Sequence, residues 1–197
     1  NKFDADLSLY AQTGKGKLVN NTTTVNAYNA GLNFNYAFTD QVKVGLGYEY
    51  LSGKDQTDTD DKIKSFNPIF GTNHAFNGFM DYFYGGNHKN TVGLQDAFVK
   101  LNYAPNKWKF NVTPHVFITA ADVKDPSSSN KMDRYLGTEI DVTASYELHK
   151  NIAISAGYSQ MFGTETLEVL KGGNTSLDNN WAYVMININP RIFTTSK

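Results

Sequence analysis

The chain has 197 residues, 40% hydrophobic and 14% aromatic, with 18 basic against 19 acidic side chains and no cysteine. A net charge of −1 offers no clustered positive field for phosphate, which sets nucleic acid aside, and the missing cysteine excludes disulfides, thiolate metal sites and cysteine nucleophiles. The longest uninterrupted apolar stretch, Trp181 to Ile186, is far short of the ~20 residues a bilayer-crossing helix needs, but barrel strands need only ~9 to 11 each and alternate apolar with polar.

Period-2 alternation recurs from end to end and predicts an all-β chain. Eight strands are expected, at Phe3 to Gln12, Thr24 to Phe38, Gln41 to Ser52, Val92 to Tyr103, Trp108 to Ala121, Arg134 to Leu148, Asn151 to Phe162 and Trp181 to Phe193. The links between them alternate long and short. Thr13 to Thr23 is long, Thr39-Asp40 tight, Gly53 to Thr91 long, Ala104 to Lys107 tight, Asp122 to Asp133 long, His149-Lys150 tight and Gly163 to Asn180 long. Outer-membrane barrels have this asymmetry, with short periplasmic turns and longer outer loops. The first residue, Asn1, follows no initiator Met, basic n-region or apolar h-region, so a targeting signal is expected to lie outside these residues or to have been removed.

Alternate residues separate into two sets. One is apolar and uncharged, including Leu7 and Leu9, Leu32 and Phe34, Val44 and Leu46, Val99 and Leu101, Val112 and Val116, Leu136, Ile140 and Val142, Ile154, Val184 and Ile186. The other is polar almost throughout, and its Lys43, Glu49, Lys100, Lys109, His115, Glu139, Asp141 and Arg191 are the candidate lumen-lining residues. A barrel would turn the first set to lipid, whereas a soluble sandwich or a lipocalin-like carrier would turn it inward. Aromatic residues near the strand ends fit two interfacial girdles: Tyr36, Phe38, Tyr103, Trp108, Tyr146 and Phe193 at one level, and Tyr48, Tyr50, Tyr158 and Trp181 at the other. Pro114 falls in mid-strand, where it removes a ladder hydrogen bond and predicts a bulge or a locally unpaired stretch.

The link from 53 to 91 is too long for a mere connection and has two unlike halves. Lys54 to Lys64 is charged, with Asp55, Asp58, Asp60 and Asp61 in a solvated tip; part of a calcium-loop pattern at Asp58-Thr59-Asp60 lacks the required glycine and glutamate. Phe66 to Tyr84 carries too much apolar surface to leave in water. It is expected to fold back onto the barrel mouth or into the lumen as a constriction loop, with Phe66, Phe70, His74, Phe79, Asp81 and Tyr82 as its working residues. The four histidines are scattered without metal-ligand spacing, and no nucleophile motif such as Gly-x-Ser-x-Gly is present, so no metal, no cofactor and no enzyme is expected.

The segment Ser65-Phe66-Asn67-Pro68-Ile69-Phe70-Gly71-Thr72-Asn73-His74, continuing through Phe79 to Tyr84 and Val92-Gly93-Leu94-Gln95-Asp96, resembles the alginate-export-like outer-membrane β-barrels of Gram-negative bacteria. Leu136 to Asp141, Gly157 to Phe162, Leu170 to Gly173 and the closing strand from Trp181 carry the same likeness. That resemblance implies a large-pored porin of about twice this length, of which this chain would be the C-terminal half. A pore for an anionic polysaccharide would present a ladder of basic side chains, and the polar set here has more acids than bases, so alginate itself is not implied as the solute.

The combined expectation is an antiparallel transmembrane β-barrel, about eight strands of a larger barrel. Residues 1–197 would form one outer-membrane domain with a long extracellular loop at 53–91. Its partners would be outer-membrane lipid and small hydrophilic solutes, saccharides among them, that pass through by passive or facilitated diffusion. The alternative is a structural or interaction barrel, anchored in the outer membrane as a subunit of an envelope complex with envelope protein partners.

Overall fold

The computed structural model describes residues 2–18, 21–88, 91–190 and 193. Eight strands form: β1 (Phe3–Leu18), β2 (Asn21–Ala37), β3 (Val42–Leu51), β4 (Leu94–Tyr103), β5 (Trp108–Ile118), β6 (Tyr135–His149), β7 (Ile152–Gly163) and β8 (Asn179–Ile188). A short α-helix, α1 (Glu165–Lys171), lies between β7 and β8, and a 3-10 turn spans Gly85–Asn87 in the long loop. The strands pair in sequence order as one antiparallel sheet, β1 to β8. Among the described residues no ladder joins β1 to β8, so the sheet is open and both edges are unpaired.

Register fixes the faces, because residues directly opposite in a ladder share a side of the sheet. The row Asn33, Gly47, Phe98, His115, Glu139, Met161 runs across five ladders on the inner face. The row Leu32, Tyr48, Ala97, Val116, Thr138, Phe162 runs across the same ladders on the outer face. The outer row is exposed except at half-buried Thr138, and the inner one passes from half-buried at Asn33, Gly47 and Phe98 to buried at His115, Glu139 and Met161.

The differences from expectation have local causes. The predicted link at 13–23 is strand, since Thr13↔Asn26 through Leu18↔Asn21 continue the β1–β2 ladder. This hairpin rises beyond the rest of the sheet and is braced by Ile63, whose backbone exchanges hydrogen bonds with Thr24 and Asn26. Gly16 makes room there, because a Cβ at its position would lie 2.9 Å from Ile63 Cδ1. The predicted loop at 163–180 contains α1, capped by the Thr164 hydroxyl and stopped at Gly172, whose φ is 77°. Seven residues are too few for a helical period to stand out.

The Pro114 expectation is met. The β4–β5 ladder passes from Phe98↔His115 to Leu101↔Val112, leaving Pro114 unpaired on that side. A second irregularity, at Phe117/Ile118, with Gly137 at φ 144°, turns Leu136 away from the outer set and buries it at 1% exposure. Trp181 leaves its expected girdle as well: it lies opposite inward-facing Ser159 and packs edge-on against His74 at 5.6 Å. Phe193 lies beyond β8, and Arg191 lies outside the described residues.

The hydrophobic core sits on the inner face at the long-loop end. Ala27, Leu51, Leu94, Phe117, Leu136 and Met161 line the sheet there, and Phe66, Phe83 and Leu167 cover them from the long loop and α1.

Candidate functional site

Below this apolar tier the inner face carries Glu49, Asp96, His115, Glu139 and Asp141, each placed by the period of its strand. Glu139 is fully buried, Asp96 is 1% and Asp141 3% exposed. The cover is the tip of the long loop, Asn77 to Met80. Asn77 Nδ2 donates to Glu49 Oε2 and to Asp96 Oδ2, both at 3.1 Å. The Phe79 amide donates to Asp141 Oδ2 at 3.2 Å, and the Met80 amide to Glu139 Oε1 at 2.9 Å. Gly78, at φ 80°, lets the turn settle this low, because a Cβ there would stand 2.5 Å from Glu139 Oε1. The wall thus answers the loop's donors with carboxylate acceptors, the pairing that buried ionisable oxygens need.

His115 is held from two sides, with Nδ1 at 2.9 Å from Asp96 Oδ1 and Nε2 at 3.7 Å from Asp141 Oδ2. Its ring also stacks on Phe117 at 5.5 Å and lies 5.3 Å from Phe98. Among the described residues no Lys or Arg comes within ion-pair distance of Glu49, Asp96, Glu139 or Asp141. Nor does any group of three His, Asp or Glu side chains gather in a metal-ligand arrangement.

The predicted residues divide into those the fold brings together and those it does not. Glu49, His115, Glu139 and Asp141 form the carboxylate tier just described. Lys100 faces the same side and lies over the Phe98 ring at 4.7 Å, at the edge of a cavity of about 310 Å³. Lys43 and Lys109 sit farther toward the short turns, around a separate cavity with Asn102 and Asn111. In the loop, Phe66 is buried, Phe79 stacks on His74 at 6.3 Å, and the Tyr82 hydroxyl meets Asn179. His74 and Asp81 pair at 2.8 Å, with the other Asp81 oxygen accepting the Ala75 amide, so this pair closes the loop's own turn. Phe70 stands fully exposed, away from the packed tip.

Sequence reading missed Asp96, Asn77, Phe98 and Phe117. Counting back by twos from Lys100 reaches Phe98 and Asp96, and Asn77-Gly78 is a turn dipeptide that marks the loop tip. The inward glycines are covered laterally: a Cβ at Gly47 would meet the Phe98 ring at 2.1 Å, and one at Gly157 the Tyr183 ring at 2.1 Å. The rings therefore lie along the wall.

The charged half of the loop is also tied down. Asp55 accepts the Asp122 amide and Gln56 the Lys124 amide, joining it to the next long loop. Lys64 pairs with Asp58 and with Asp60, and its hydrogen bond holds the Asp60 carboxyl down at about 2.

Behind this half, His88 is 3% exposed, and its Nε2 has no partner. Burial, reinforced by the Lys171 charge, pushes its pKa from 6.5 down to about 4. A folded-state value below the unfolded one means that His88 favours the fold while neutral and opposes it once protonated. The contribution of neutral His88 to stability is therefore complete above pH 6.5 and is lost as the pH falls from 6.5 through about 4. The protection factor of the segment 76–88, taken against the intrinsic exchange rate at each pH, should fall as the pH drops through that window in the wild type, and His88→Gln should flatten the response. An unchanged pH profile in the variant would assign the effect elsewhere.

Neither a family model nor a curated protein matches this chain.

Proposed function

We propose that this chain is the wall of an outer-membrane β-barrel of the alginate-export-like kind, conducting small hydrophilic solutes along its polar inner face through a bore narrowed by the loop at 53–91. The observation that carries the reading is the outer face. Leu9 is 69%, Ile186 63% and Val184 77% exposed, and Leu7, Leu32, Phe34, Leu46, Leu101 and Val142 join them across the sheet. Water-soluble monomers rarely expose apolar patches beyond a few hundred Å², whereas lipid requires such a surface. No helix in the described residues is long and apolar enough to cross a membrane, and strands of 10 to 17 residues are long enough to do so.

The ends of the outer face agree with this reading. At the short-turn end Trp108 packs on Tyr146 at 4.7 Å and on Phe110 at 5.4 Å, and Tyr36 on Phe38 at 4.8 Å. At the other end Tyr28 stacks on Tyr50 at 5.6 Å, and the Tyr48 and Tyr158 hydroxyls reach Gln95 and Gln160. Rings with a polar tip are the residues that headgroup regions favour. The unpaired β1 and β8 edges are in keeping with further strands completing the barrel.

The seating of the loop favours a second reading, an anchored barrel whose interior is filled, because Phe66 and Phe83 are buried against the wall. Planar-bilayer conductance separates the two. The conducting reading expects discrete channel events from the reconstituted protein and a clear rise in conductance on deleting Asn67 to Tyr84. Absence of events in the folded wild type overturns it, and unchanged conductance in a folded deletion variant overturns the constriction.

A further inference from the structure

Beside the carboxylate tier, a cavity of about 440 Å³ opens between β1, β2, β3 and the loop. Tyr10, Phe66 and Phe76 contribute rings to it, and Asn29 and Glu49 form its polar floor. We propose that it is a binding site for an organic cation with an apolar body, an alkyl- or arylammonium. The volume lies within the range of small-molecule sites, roughly 300 to 1,000 Å³.

Charge selects the ligand class. Glu49 accepts one amide N–H on each oxygen, from Asn29 at 2.8 Å and from Asn77 at 3.1 Å, and each oxygen keeps further acceptor capacity. Among the described residues no Lys, Arg or His lines the cavity, and Asp96, Glu139 and Asp141 stand on the neighbouring part of the same inner face. His115 is the one basic side chain found in contact with that tier among the described residues, and it is engaged by Asp96 and Asp141. A half-enclosed acidic site with low-dielectric walls concentrates cations and repels anions.

The rings select the body of the ligand. Tyr10 and Phe66 are 6.4 Å apart at 43°, an open pair that can receive an apolar group, and ring faces attract ammonium groups most when desolvated. An inorganic ion would leave these rings unused, and a neutral apolar molecule would desolvate the Glu49 carboxylate with no counter-charge beyond its two neutral amide donors. A lipophilic ammonium satisfies both.

The test is calorimetric titration of the full chain in detergent with benzyltrimethylammonium, whose charge does not vary with pH, and in parallel with neutral benzyl alcohol. Saturable binding of the ammonium with little affinity for the alcohol is expected. Affinity should fall about tenfold in Glu49→Gln and by a smaller factor in Tyr10→Leu, in line with loss of one charge and one ring contact. No binding of the ammonium, equal affinity for the alcohol, or unaltered affinity in Glu49→Gln overturns the proposal. The wild-type comparison decides alone if that variant fails to fold. Conductance is measured separately, so a conducting protein that ignores the ammonium overturns this site and leaves the channel reading standing.

Discussion

Arginine at Leu46, Val142 or Ile186 is expected to destabilise the protein in lipid by about 2–4 kcal/mol, the cost of a cation on the lipid face at the bilayer midplane. All three lie on the exposed outer face, at 56%, 39% and 63%. In water the same substitutions would place a charge on an open surface and cost little, so the size of the penalty reports the medium. Thr143 and Asn187 are the matching inner-face positions, each next in sequence to one of these residues, and Arg there should cost markedly less. Gly47 is unsuitable as a control despite its neighbouring position, since any side chain there collides with Phe98. Reversible unfolding in lipid vesicles gives the comparison, and equal penalties on the two faces would refute the lipid-facing assignment.

Phe117→Ala should produce a loss of similar or greater size, about 3–5 kcal/mol, by truncating an aromatic side chain in a packed interior. Phe117 is fully buried, packs against Phe83 of the loop at 4.8 Å and stacks on His115 at 5.5 Å. The substitution therefore removes one of the apolar contacts that join the loop to the wall as well as the volume it fills. Increased proteolysis of the loop should accompany the lower stability. Phe193→Ala, at a side chain 80% exposed and outside the core, is the reference. A loss below about 1 kcal/mol at Phe117, within the range of ordinary surface substitutions, would show that the loop is not held by this core.

The sheet was legible in the sequence because its faces obey a period of two over long stretches. Seven of the strand starts, to within two residues, and most of the inner charges follow from that count, as Glu49, His115, Glu139 and Asp141 illustrate. Local exceptions were not legible. Leu136 belongs to the outer set by parity, but a bulge beside Gly137 reverses it, and nothing in the residue types announces the extra step. The β1–β2 extension beyond Thr13 has no buried face to impose a pattern, so its alternation of polar residues looks like loop. The loop's inward fold could be anticipated from its aromatic load, whereas its anchoring to Asp96, Asp141 and Glu139 depends on residues far apart in the chain and on backbone amides that carry no side-chain signature.

The strand count also sets a rule for closure. With eight strands each reversing the last, β1 and β8 run in opposite directions, and each presents one free row of backbone donors and acceptors. A direct seam between them would be antiparallel. Strands inserted between them preserve an antiparallel seam throughout only if they come in pairs, since an odd insertion forces two neighbours to run the same way. Any barrel built on this sheet with hairpin connections alone therefore has an even number of strands, and a single added strand could complete it only by running parallel to β1 or to β8.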